Sequence, residues 1–369
     1  MKKFLRILPI LFALFLPASA VRAAVTEAQG WFEAAYAQWE PVSGAADYNV
    51  YIAPAGGEYT KLDKELVRKY PTYYRADAVG LKAGSYTMKI VPVDAAKAEM
   101  TSAAMTTAAL TVKAHDRAGF AHVGMPGGIG AYKNDGTLKD NAKVIYVWAD
   151  NAKAVTTDVV TNNKGGKATG VGMQNIIYLY QKGYDTTPIA FRIIGTIKKE
   201  NMDELGSSSE GLQIKGKGAF SDMPITIEGI GIDAAISGFG MLVRGTKGVE
   251  LRNFSVQLCI DDCISLDTDN SNVWIHNMDF FYGNTGGDAD QAKGDGTVDL
   301  KAGTTHVTMS YCHFIDCGKA SLGGMDESTS QWQTYHHNWF DHSDSRHPRI
   351  RAMFFHVYNN YYDGISKYG

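Results

Sequence analysis

Arg346, Arg349 and Arg351 place three guanidinium groups within six residues, shortly after Tyr335-His336-His337-Asn338. The acidic run Asp295-Gly296-Thr297-Val298-Asp299 comes before them. Guanidinium forks suit planar anions such as carboxylates. Paired Asp residues suit a hard cation such as calcium. Together the two sets could hold an acidic polymer through salt bridges and a bridging metal. A solvated basic turn is the plain alternative for the arginines alone.

The chain has 369 residues, enough for two domains with a sizeable core. Its formal net charge is −3, so no global basic field argues for nucleic acid, and the arginine cluster stands against a mildly acidic background. Residues 1–24 read as a signal peptide. Lys2, Lys3 and Arg6 form the charged end, Ile7 to Leu16 the apolar core, and Ala18-Ser19-Ala20 the cleavage site, with Ala23-Ala24 as a second candidate. The apolar run is short for a membrane span, and no later segment reads as one. The mature protein is expected to be exported, secreted or periplasmic, soluble and monomeric. Four cysteines remain: Cys259, Cys263, Cys312 and Cys317. Their spacing allows local 259–263 and 312–317 bridges, and buried free thiols are the other reading. No CxxC pair suggests zinc.

These groups need elements to position them. Residues 25–113 alternate with period two at Tyr48–Ile52 and Tyr86–Val93, with turn signals at Gly56-Gly57 and Ala83-Gly84. A small β-sandwich is expected. Its titratable residues are scattered, so no chemistry is assigned to it, and a spacer role is favoured. Residues 114–118 read as a linker. From residue 119 the texture changes to short strands between Gly, Asn and Asp turns. The segments VELRNFSV, VWIHNMDF, VTMSYCHF, QTYHHNWF and HVYNNYY are comparable. Their aromatics Phe254, Phe280, Phe314, Phe340 and Tyr362 are taken as aligned, at intervals of 26, 34, 26 and 22. Repeats of this length indicate a solenoid, with three short strands per turn of chain. The long interval marks a loop inserted at about Asn284 to Gly294. Asn338 and Asn360 share one aligned position, so their amides could stack along the axis. His336, His337, His342 and His347 are read as part of a polar stack and turn rather than as a transition-metal site.

With its motifs in order, the region from about Gly119 onward resembles pectate lyases of polysaccharide lyase family 1. The motifs are ITIEGIGIDAAISGFGMLVRG, GVELRNFSV, NVWIHN, DGTVDLKAGTTHVTMSYCHF, GKASLGG, YHHNWF, RHPRIR and HVYNNYYDG. Residues 25–113 resemble a fibronectin type III module through Trp39-Glu40-Pro41 and the turn Gly80-Leu81-Lys82-Ala83-Gly84-Ser85-Tyr86. The resemblance implies an all-β chain, with a right-handed parallel β-helix over residues 119–369. It implies cleavage of de-esterified pectin, α-1,4-linked polygalacturonate, by β-elimination with calcium. Calcium would be held by Asp262, Asp295 and Asp299, with Asp261 a possible substitute for Asp262. Arg346 would be the proton-abstracting base, and Lys319 and Arg351 would act with it and bind substrate. Arg349 is kept among the substrate-binding candidates, although strand alternation turns it to the opposite face, which favours structural contacts. Arginine is an awkward base, since its free pKa is above about 12, and calcium and Lys319 would favour its neutral form. Two departures stand out. Trp274-Ile275-His276-Asn277 lacks the acid usual in this family's motif, and similar proteins continue past residue 369 into more rungs, which leaves a truncated C-terminus as one reading. The competing functions are a pectin lyase acting on methyl-esterified substrate and a non-catalytic polysaccharide-binding β-helix.

Overall fold

The computed structural model describes residues 24–206, 209–284, 292–325, 331–351 and 354–365. Nearly all of the expected signal segment, most of the expected inserted loop and residues 366–369 lie outside them. Beyond residue 142 the chain winds through three parallel sheets. One runs from Lys143–Val147 through Ile189–Ile193, Ile225–Gly229, Glu250–Arg252, Ser271–His276, Thr305–Ser310 and Trp332–His336 to Phe354–Tyr358. We call it the long sheet. The second begins at Thr196–Lys198 and ends at Tyr361–Asp363. The third contains Gly211–Lys215, Gly240–Arg244, Ile264–Leu266, Gly296–Leu300, Lys319–Gly323 and Arg349–Ile350. Each strand pairs with its counterpart one turn later, which makes a right-handed parallel β-helix.

Stacked rungs put like side chains over like. Ile227, Leu251, Ile275 and Met309 follow one another inside the long sheet, where branched apolar residues pack well on a pleated surface. On the second sheet the rings of Phe280, Phe314, Phe340 and Tyr362 stack with centroids 5.2, 4.8 and 5.2 Å apart. The residue below Phe280 is Val256, not Phe254. Phe254 therefore sits two residues before the aromatic column, at the position of Met278, and the first interval is shorter than the aromatic spacing suggested. Hydrogen-bond register overrode ring identity here. The corner between the long and second sheets is a single left-handed residue on each rung: Asn253, Asn277, Tyr311, His337 and Asn359, with φ between 51° and 58°. Asparagine tolerates this conformation better than most side chains. One residue further on, Asn360 Oδ1 accepts from the Asn338 backbone and side-chain N–H, both at 2.9 Å, and Asn338 Oδ1 accepts from Cys312 N at 3.0 Å. The expected amide ladder is present. All four cysteines are buried free thiols.

The helix Met173–Tyr180 covers the first rung. Gln174 exchanges side-chain hydrogen bonds of 2.9 and 2.7 Å with the backbone of Gln213, so its amide occupies part of an exposed strand edge. No described helix is long and apolar enough to cross a membrane.

Residues 25–112 form two antiparallel sheets over a core that includes Trp39, Tyr48, Val50, Met88 and Ile90. This module is joined to the β-helix by charge. Glu33 is 1% exposed and receives Arg117, the His115 N–H at 3.2 Å and, at 3.7 Å, Arg252 of the long sheet. Arg252 also pairs with Glu228 at 2.8 Å and lies 3.8 Å above the Tyr132 ring. Arg68 reaches across to the Ile230 carbonyl at 3.1 Å and Asp233 at 2.9 Å. Removing one member of such a buried set leaves a charge uncompensated, which costs about 3–5 kcal/mol. Glu33→Gln should therefore lower the denaturation midpoint clearly while keeping the side chain's size. An unchanged midpoint would show that Glu33 contributes nothing to the seam.

Candidate active site

The third sheet gathers the acids. Val298 and Leu300 face the core, so Asp299 between them faces outward, yet neighbouring rungs leave it only 5% exposed. Asp262 lies two residues before Ile264–Leu266, one rung away, and is 1% exposed. Gly296 separates the two. A Cβ added there would lie 2.4 Å from Asp262 Oδ1 and 2.5 Å from Asp299 Oδ2. Only glycine lets these carboxylates converge on one spot. Asp295 extends the group, and one oxygen each from Asp261, Asp262 and Asp295 lie within 4.8 Å of one another.

Cations enter from the following strands. Lys319 starts the next strand of this sheet and donates to Asp295 Oδ1 at 2.6 Å. Arg346 Nη1 donates to Asp299 Oδ2 at 3.3 Å, while Asp299 Oδ1 accepts the Leu322 N–H at 3.0 Å. The Arg346 carbonyl accepts from Ser321 N at 2.8 Å, which ties that turn to the sheet. Arg349 and Arg351 stand apart from this cluster. Arg349 is exposed on its two-residue strand, and Arg351 donates to the Met325 carbonyl.

Two members escaped sequence reasoning. Lys301 Nζ lies 2.9 Å from Asp262 Oδ2, a charge contact without good hydrogen-bond alignment, and 4.0 Å from Glu210 Oε1. Lys301 follows Asp299 by two residues, and a period-two strand puts both on one face. That signal was available. Glu210 gave none, since it lies in a loop several rungs earlier in the sequence.

Burial dominates the electrostatics. It pushes the Asp262 carboxyl up to about 8, helped by Asp299 and opposed by Lys301. The same desolvation raises Asp299 against Arg346 and Lys301, and raises Asp261 together with the charge of Glu210. Burial alone would pull the Lys301 ammonium down, but Asp262, Asp299 and Glu210 hold it above its ordinary value. Glu210, Asp261, Asp262, Asp295 and Asp299 face Lys301, Lys319 and Arg346. When all are ionised, the described residues carry two more negative than positive charges. A convergent oxygen set short of two positive charges fits a divalent hard cation.

In the metal-free protein this arrangement has a signed pH dependence. The unfolded Asp262 carboxyl titrates near 3.9 and the folded one near 8. The folded state binds the extra proton, so its contribution to stability is present below about pH 4 and is lost as pH rises towards 8. Asp262 and Asp299 titrate as a pair, so the dependence belongs to both. In chelator, the wild type should lose stability relative to Asp262→Asn across that window. Parallel stability profiles for the two proteins would contradict it.

Comparison with known proteins agrees with this architecture. The pectate lyase family profile matches residues 201–369. Pectate lyase 2 of Pectobacterium atrosepticum is 30% identical over 247 residues, covering 64% of this chain and 61% of the relative. A pectate trisaccharide-lyase of Bacillus licheniformis is 26% identical over 216 residues, covering 57% and 59%. The chain thus spans about three fifths of the length of these curated relatives. A crystal structure of a pectate lyase from Bacillus sp. N165 in complex with trigalacturonate superposes with a TM-score of 0.51 at 23% identity, covering 68% of this chain and 69% of that one, and shares the fold. Residues 201–369 thus match the pectate lyase profile, and the curated relatives that the chain resembles over about three fifths of their length carry pectate lyase names.

Proposed function

We propose that this protein is an exported, calcium-dependent pectate lyase that cleaves α-1,4-linked polygalacturonate to 4,5-unsaturated oligogalacturonides. The observation that carries the reading is the meeting of Asp262 and Asp299 across Gly296, with Arg346 bonded to one of those acids and Lys319 to Asp295 beside them. Asp262, Asp295 and Asp299 would hold calcium, with Asp261 close enough to join them. Calcium there supplies a positive centre that neutralises the uronate carboxylate and acidifies the neighbouring C5 proton.

The remaining chemistry falls to this chain's side chains. Lys319 is 7% exposed and held by Asp295, so its ammonium is fixed where an acidic sugar would enter. Such a charge orients the substrate carboxylate and stabilises the negative charge that grows as the C5 proton leaves. Arg346 is the proposed acceptor of that proton. An arginine guanidine is protonated at ordinary pH, so acceptance needs positive surroundings that favour its neutral form, and Lys319 and Lys301 contribute to them. An alkaline optimum follows. The C5–H electron pair then becomes the C4–C5 double bond as the C4–O4 bond breaks, and the departing O4 keeps that bond's electron pair and takes a proton from water. Arg349 and Arg351 are assigned to more distant substrate contacts, along the exposed side of the same turn.

The decisive assay is ultraviolet absorbance of unsaturated uronide on polygalacturonate, with and without chelator. Chelator should abolish product, and calcium should restore it. Asp299→Ala should lower turnover by at least about a hundredfold, since it removes both an oxygen donor and the partner of Arg346 (~2.7 kcal/mol of barrier). Full activity in strong chelator would remove calcium from the reading.

Arg346→Lys separates charge from geometry. It keeps the positive charge but loses the guanidine fork. Turnover should fall by at least about a hundredfold, a loss of roughly 2.7 kcal/mol, with a smaller change in KM. Near-normal turnover would reduce Arg346 to an electrostatic contact and make Lys319 the better base.

A further inference from the structure

A second group of ligand-type atoms lies on the long sheet, at its corner with the second sheet. Asp116, from the segment joining the two domains, meets His336 and His337 so that one oxygen and two ring nitrogens lie within 4.8 Å of one another. His336 is fully buried, and its Nε2 lies 3.1 Å from the Ala118 carbonyl. A carbonyl has no proton to give, so Nε2 carries the hydrogen. In the neutral ring only Nδ1 is then left to accept. His336 Nδ1 therefore presents a lone pair, and it points at His337 Nδ1 only 2.8 Å away. Asp116 Oδ2 lies 3.9 Å from the same Nδ1, while Asp116 Oδ1 is occupied by the Ala118 N–H at 2.9 Å.

The imidazole planes are held. Tyr311 stacks on His337 with centroids 4.7 Å apart and planes 3° apart, and Tyr358 stacks on His336 at 5.1 Å and 6°. His337 is the left-handed corner residue of its rung, which fixes its backbone as well. In the free state His337 can donate its Nδ1 hydrogen to His336. Moving that hydrogen to His337 Nε2 frees the second lone pair without loss of a proton. Asn359 sits 3.4 Å from Nε2, where its amide, turned over, can accept the hydrogen. Both histidines would then have an outer partner of the kind that metal-bound imidazoles use.

We propose that Asp116, His336 and His337 form a binding site for a borderline divalent transition metal such as zinc. Two imidazole nitrogens and one carboxylate oxygen match zinc's preferences and leave a fourth position for water. The Asp116 side chain is 39% exposed, so the ion enters from solvent. The site draws one ligand from the interdomain segment and two from the β-helix, so its occupancy fastens that segment to the long sheet. It shares no residue with the carboxylate cluster and does not depend on the proposed lyase activity.

Isothermal titration of the full chain with zinc chloride tests this, with calcium in excess to fill the carboxylate site. One equivalent should bind, and zinc should raise the unfolding temperature. His337→Asn should weaken zinc binding by at least about tenfold, a change comparable to the loss of a supporting metal contact. Asparagine occupies the same corner at positions 253, 277 and 359, so this variant keeps the backbone conformation. Asp116→Asn should weaken binding similarly. His342→Asn, in the exposed Asp341–His342–Asp363 group, should change nothing. No binding, or binding that survives His337→Asn and Asp116→Asn, or binding lost only in His342→Asn, would each overturn the proposal.

Discussion

Parallel stacking at the spacing of hydrogen-bonded strands sets the terms for everything else in this molecule. Successive rungs lie about 4.8 Å apart, so each side chain has the aligned residue of the next turn as its immediate neighbour. For apolar residues the arrangement is favourable, as the column Phe280, Phe314, Phe340 and Tyr362 shows. For asparagine it gives a ladder in which one amide satisfies the backbone of the rung before it. For carboxylates it is unfavourable. Asp262 and Asp299 lie on neighbouring rungs, and burial resists ionisation of both, helped by Asp299 beside Asp262 and by Asp295 beside Asp299. The stacking that builds the scaffold thus also builds a site short of positive charge.

The same rule explains why charge is concentrated on the long sheet. Glu228, Glu250, Arg252 and His276 would be costly as isolated buried groups. They pair within and across rungs, and the module adds Glu33 to the network, while Arg68 bonds the Ile230 carbonyl and Asp233. The module covers polar groups that the β-helix alone would leave facing water or without partners. The segment 114–118, read from sequence as a linker, likewise packs on both bodies through His115, Asp116 and Arg117.

Legibility followed locality. Asp295 and Asp299 could be read because they share a short run, and the arginines because they crowd one turn. Asp262 came from the family resemblance and sits where the convergence occurs. Lys301 is legible in principle from its two-residue offset from Asp299, but it belongs to no motif. Glu210 and Asp116 were not legible, since each joins its partners only through the winding of the chain. The histidines stand out in the sequence, but with Asp116 far away along the chain they read as a polar stack and turn. The misplaced Phe254 shows the limit of matching by residue type. A Val and a Phe fill equivalent inward positions, and only the strand register tells which residue lies over which.

Position and charge state pull Arg346 in different directions. Its backbone takes a left-handed conformation at φ 61°, and its carbonyl is bonded to the neighbouring strand, so the turn places the guanidinium over Asp299. A guanidinium bonded to a carboxylate has little reason to become a base. Under the proposed function, the carboxylate would have to be satisfied by another positive charge before Arg346 could turn from structural partner to proton acceptor. The excess of acids at the site provides for this, because a divalent cation there is attracted by the same oxygens that Arg346 now neutralises. Lys301 fits the same logic. It offsets Asp262 while the acids stand alone, and it adds to the positive surroundings of Arg346 once they are filled. Under that proposal electrostatics would set the order: the acids would be neutralised first, and only afterwards would the arginine have a reason to give up its proton.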